Sequence, residues 1–146
     1  MARGQQMIVK WAPRSTSGNI GVAFCVDQSQ GDCYVLDLFA YRNRQLGFSW
    51  RHHSALEAGP GAWVPGRDDL LPERHIKTGG EKEPGWHGDS NNYLMMVSLT
   101  TDGKVALRAD GLDPVHIRQL VFPLPEAYTT VAVASAQRTG EYTIMA

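Results

Sequence analysis

Ile20, Val22, Phe24 and Val26 recur at every second position, and no part of the chain sustains an apolar repeat of three to four. Successive side chains of an extended strand point to opposite faces, so this spacing puts four apolar groups on one side of a pleated ribbon. Gly21, Ala23 and Cys25 lie between them and are small, which lets the other face be covered as well. A chain written in this way is committed to sheets.

The same texture recurs in short pieces. Residues 7–12 read as a strand stopped by Pro13. Residues 33–41 form an almost unbroken apolar and aromatic run, which predicts a strand at the centre of a sheet. Leu46, Phe48 and Trp50 alternate again, so residues 20–52 predict an antiparallel meander of strands. Further strands are predicted over 93–100 and 104–110, joined at Asp102-Gly103, where both positions tolerate positive φ. Asp113-Pro114 reads as the start of one helical turn. Residues 120–124 predict an edge strand, because Pro123 has no amide hydrogen to give a ladder. Residues 129–134 and 142–145 read as a last hairpin around Arg138-Thr-Gly140. At 146 residues the chain fits one domain, 1–146. The expected fold is all-β: a single antiparallel β-sandwich, jelly-roll-like, with one long loop insertion.

That insertion runs from about 57 to 92. It has no apolar period, and it holds seven of the fifteen glycines and four of the eight prolines. So long a connection in a compact domain is expected to bind, cover or order something. It carries Trp63, Trp86, His75 and His87, and it ends in Gly85-Trp-His-Gly-Asp-Ser-Asn-Asn-Tyr93. An indole face covers the C–H side of a sugar ring, and carboxylates and carboxamides take its hydroxyls. The expected ligand set is therefore Trp63, Trp86, His87, Asp89, Asn91 and Asn92. The bland alternative is a glycine-rich turn whose Asp and Asn side chains cap their own backbone.

Asp and Asn oxygens also suit Ca²⁺, and Asp37, Asp89 and Asn91 are its candidate ligands. Asp37 interrupts the most apolar strand on the face of Cys33 and Val35. A buried carboxylate there needs an ion or a partner such as Arg108. His52 and His53 are adjacent on a strand, so they point to opposite faces and suit one metal poorly. Cys25 and Cys33 flank the turn-like run 27–32. A hairpin centred on Ser29 sets them opposite each other, either as a cross-strand bridge or as two small buried thiols.

Catalytic patterns are thin. Gly47-Phe-Ser49-Trp-Arg51 lacks the second glycine of a nucleophile elbow, and no phosphate-cradling glycine loop is present. A net charge of −1 gives no broad basic field for nucleic acid. No apolar run approaches the roughly 18 residues that span a bilayer. The first residues are not followed by the apolar core of a secretory signal, so a cytoplasmic place or an assembled particle is the default expectation.

The run Gly21-Val-Ala-Phe24, then Tyr34-Val-Leu-Asp-Leu38 and Leu46-Gly-Phe-Ser-Trp50, resembles the middle strands of concanavalin-like and laminin-G-like sandwiches. Val35-Leu-Asp37 and Gly88-Asp-Ser-Asn91 partly resemble the calcium-binding proteins of the tellurium-resistance family, with Val35 where that family has its first acid. Both resemblances imply a β-sandwich that binds at loop carboxylates.

The leading expectation is a non-catalytic ligand-binding module with carbohydrate as ligand and Ca²⁺ as helper. The first alternative is a structural subunit of a virion-like particle, filament or other homo-oligomeric assembly. The second is a small β-fold enzyme using a histidine and a carboxylate.

Overall fold

The computed structural model describes residues 2–12, 18–40, 45–65, 74–77, 93–109, 120–135 and 141–145. Along the chain these form β1 (Gln6–Ala12), β2 (Gly18–Cys25), β3 (Cys33–Ala40), β4 (Gln45–His53), α1 (Ala55–Ala58) and β5 (Arg74–Lys77). They continue as β6 (Tyr93–Leu99), β7 (Lys104–Ala109), β8 (Leu120–Pro123), β9 (Thr130–Ser135) and β10 (Glu141–Met145). Two five-stranded antiparallel sheets result, ordered β10-β1-β6-β7-β8 and β5-β4-β3-β2-β9. They are called the β6 sheet and the β3 sheet below, after their central strands.

The sheets stack face to face, as the alternation predicts. Ile20, Val22 and Phe24 of β2 and Leu36 and Leu38 of β3 meet Val97 and Leu99 of β6, Val105 and Leu107 of β7 and Phe122 of β8 in one buried cluster. Each such side chain contributes roughly 1.5–3 kcal/mol when it leaves water, so this layer drives folding. Trp50 of β4 lies flat on Phe122 of β8, with centroids 4.9 Å apart, and ties the two sheets together. Val26 falls beyond the end of β2 and is 40% exposed.

Consecutive β2, β3 and β4 form the predicted meander, in a register that sets Cys25 opposite Cys33 and Tyr34 opposite His52. β8 lies at a sheet edge, as its proline requires.

Three expectations are corrected. β9 and β10 do not pair with each other: β9 lies beside β2 in one sheet and β10 beside β1 in the other. Local turn chemistry suggested a hairpin there, and two longer-range ladders take the strands instead. At 100–103, only Gly103 has positive φ, at 80°. The turn is closed by the Gly103 amide on the Thr100 carbonyl at 3.0 Å and by the Lys104 amide on the Thr100 hydroxyl at 2.9 Å. This is a longer loop than the two-residue hairpin expected. Finally, the stretch 57–92 is not structureless throughout. It begins inside α1, and residues 74–77 form β5, which pairs with Gln45–Phe48 as an edge of the β3 sheet. The predicted turn at Asp113-Pro114 lies outside the described residues.

Candidate functional site

The first part of the excursion is tied down on the outer face of the β3 sheet, the face turned away from the β6 sheet. Residues 59–65 cross that face as a strap. Trp63, 5% exposed, packs with Ala23, Cys25, Cys33 and Val35. Its Nε1 donates to Gln30 Oε1 at 2.8 Å and its amide donates to the Gln30 carbonyl at 3.1 Å. Gln30 stands at the tip of the β2–β3 hairpin with φ 59°, a left-handed conformation that few side chains adopt.

Gly21 makes the approach of the indole feasible: a Cβ there would sit 2.5 Å from Trp63 Cζ3. The small residues read in the sequence as permitting a covered second face are thus the floor for one large ring. Cys25 and Cys33 form a disulfide beneath it, both fully buried.

Two outward side chains of β4 hold the strap by its carbonyls. Arg51 Nη2 donates to the Val64 carbonyl at 2.5 Å, and His53 Nε2 donates to the Gly61 carbonyl at 2.9 Å. The Arg51 Nε also donates to Asp37 Oδ2 at 2.7 Å. Asp37 is fully buried, and the guanidinium is its neutralising charge. An arginine partner was among the expectations for Asp37, and Arg51 of the adjacent strand β4 supplies one.

The second cluster lies at the end of the sandwich where the excursion leaves it. His52, the core-side neighbour of His53, stacks on Tyr34 at 4.6 Å. Its Nε2 is 2.7 Å from Asp32 Oδ1, and its Nδ1 is 3.2 Å from Glu57 Oε2 on α1. The Tyr128 hydroxyl donates to the same Asp32 oxygen at 3.0 Å. The Tyr128 phenol is pushed up to about 12, first by burial, then by its hydrogen bond to Asp32 and the charge of that carboxylate.

Beside this cluster, between the β2–β3 hairpin and α1, is an open depression of about 450 Å³. Asp27, Asp32, Ser29 and Ser54 give it oxygens, while Val26, Ala55 and Leu56 give it apolar walls. Leu56 is 99% exposed, which is unusual for a large apolar side chain set next to a concavity.

Of the expected ligand set, Trp63 alone falls among the described residues, and its assignment as an open stacking face is corrected. The ring is buried against the disulfide, so neither face is free for a sugar. Trp86, His87, Asp89, Asn91 and Asn92 lie outside the described residues. So do the two remaining calcium candidates, Asp89 and Asn91. Among the described residues no group of three or more His, Cys, Asp or Glu is placed to hold a metal ion.

The meeting of Asp32, His52, Glu57 and Tyr128 was not read from the sequence. Tyr128 and Asp32 are 96 positions apart. One signal was available: the meander register that pairs Tyr34 with His52 brings His52 beside the hairpin acids.

No protein-family model matches the chain. No curated protein matches it either. Among solved structures it is similar to a variant of human galectin-16, at 13% identity and a TM-score of 0.55, over 99% of this chain and 89% of that one. At that identity the likeness is one of fold: the chain is built as a galectin-like antiparallel β-sandwich.

Proposed function

We propose that this protein is a non-catalytic binding module whose ligand is polar and polyhydroxylated, with a glycan as the best fit, taken up where the 57–92 excursion leaves the sandwich. The observation that carries the reading is the depression of about 450 Å³ at the root of the excursion, which mixes carboxylates and hydroxyls with aliphatic walls. A sugar ring presents the matching alternation of hydroxyls and C–H faces, and ligand sites combine apolar walls with a few placed polar groups in this manner. The sandwich shared with a galectin supports the same class of ligand. Trp86 would supply the stacking face in place of the buried Trp63, and His87, Asp89, Asn91 and Asn92 would supply hydrogen bonds.

One observation favours a second reading, a small β-fold enzyme: His52 lies within hydrogen-bond reach of two acids beside an open depression. Proton transfer needs a ring nitrogen that reaches the substrate. Both nitrogens of His52 face carboxylates, so the imidazole braces α1 against the hairpin, and binding is preferred over turnover.

The test is a glycan array probed with the full chain, followed by titration calorimetry on any glycan retained. Saturable binding that weakens at least about tenfold in Trp86→Ala, with the glycan recovered unchanged, is expected. Retention of no glycan would overturn the glycan reading, and recovery of a cleaved one would establish the second.

A further inference from the structure

We propose that residues 59–65 are a redox-responsive strap, docked while Cys25 and Cys33 are joined and released when they are reduced. The inference stands on the described geometry and does not depend on what the excursion binds.

The disulfide and the strap hold each other. Both cysteines have no exposed surface, and Trp63 is the one large side chain in their buried cluster among the described residues. Thiol–disulfide exchange requires a thiolate to reach a sulfur atom, so a closed strap shields the bond from reductant. In the other direction, the bridge fixes the ends of the hairpin whose tip carries Gln30. That residue gives Trp63 both of its described hydrogen bonds. Two thiols also need more room than one disulfide, because a van der Waals contact replaces a covalent bond and two hydrogens are added. The layer above them is an indole already in tight approach to Gly21.

The reaction balances with a dithiol as reductant. One of its thiolates attacks a cysteine sulfur, the S–S bond breaks, and a mixed disulfide forms. Its second thiolate then displaces the protein sulfur. The protein gains two electrons and two protons as Cys25 and Cys33 thiols, and the reductant leaves as a cyclic disulfide.

The strap's remaining ties, Arg51 to the Val64 carbonyl and His53 to the Gly61 carbonyl, come from β4 and hold the residues flanking Trp63 rather than Trp63 itself. Loss of the Gln30 bonds therefore frees Trp63 first.

The experiment uses the full chain and dithiothreitol, with two readouts. The first is the rate of appearance of alkylatable thiols in wild type, Gly21→Ala and Trp63→Ala. The second is hydrogen exchange of the Trp63 amide in the oxidised and reduced forms, with the β6 and β7 amides as the measure of global stability. Thiols should appear at least about tenfold faster in both variants, and the Trp63 amide should exchange at least about tenfold faster after reduction while β6 and β7 stay protected. Equal thiol rates in variants that keep β6 and β7 protected would overturn the proposal. So would a Trp63 amide indifferent to reduction, or one that loses protection only together with β6 and β7.

Discussion

At Gly21 one methyl group decides the outer face of the β3 sheet. Its Cβ position is 2.5 Å from a ring carbon of Trp63, and an indole has no flexible end with which to yield. Gly21→Ala is expected to cost roughly 1–3 kcal/mol by overpacking, read as a lower denaturation midpoint at unchanged slope. A neutral effect would mean that the ring does not sit there. Asp37 and Arg51 make a second single-residue case. Arg51→Ala leaves a buried carboxylate without its guanidinium and should cost roughly 3–5 kcal/mol, whereas an apolar pair, Asp37→Leu with Arg51→Met, should recover most of that loss. If the double variant is as unstable as the single one, the pair matters for more than charge balance. Tyr128 gives a pH signature. Its phenol titrates near 12 in the folded protein against an ordinary 10. The folded form keeps a proton that the unfolded chain releases, so this contribution to stability is complete below pH 10 and is lost as pH rises toward 12. A tyrosinate absorbance titration compared with Tyr128→Phe should place the missing phenol near 12. A difference curve centred on 10 contradicts the burial and the Asp32 bond.

At the scale of elements, the Cys25–Cys33 bridge closes the β2–β3 hairpin across a directly opposed pair. So short a closed loop is worth about 2–3 kcal/mol on the loop-entropy account, and Cys25→Ala with Cys33→Ala should lower the unfolding free energy by that amount. A much larger loss would show that the bridge supports packing beyond the loop it closes. Strands β2, β3 and β4 were legible because their core sides alternate at period two and their neighbours are sequential. β5 was not. Arg74–Lys77 has a single aliphatic side chain, Ile76, and it is a strand because Gln45–Phe48 offer a free ladder. Periodicity does not record an offer made by another strand. The same limit explains β9 and β10. Thr139-Gly140 reads as a turn, but each strand is claimed by a partner far back in the chain, Val133 by Val22 and Ile144 by Val9.

For the whole molecule, the run of short alternating strands foretold a β-sandwich, and the small residues between the large ones of β2 foretold a second covered face on that strand. What covers that face was hidden, because Trp63 looks the same in sequence whether it stacks on a sugar or on a disulfide. Its two hydrogen bonds to Gln30, 33 positions back, make the difference. The end cluster was hidden for the same reason, since Asp32, His52, Glu57 and Tyr128 come from the hairpin, β4, α1 and the segment before β9. Among the described residues no helix is long and apolar enough to cross a membrane.

On the proposed reading the ligand is held between the depression at the root of the excursion and the excursion itself, so neither part binds it well alone. The most direct test replaces residues 80–91 by a short Gly-Ser linker and measures glycan affinity and unfolding on one preparation. Affinity should fall at least about a hundredfold while the unfolding free energy changes by less than about 1 kcal/mol, because loop length alone costs little. Affinity that survives the excision, in a protein that still folds, would contradict that reading.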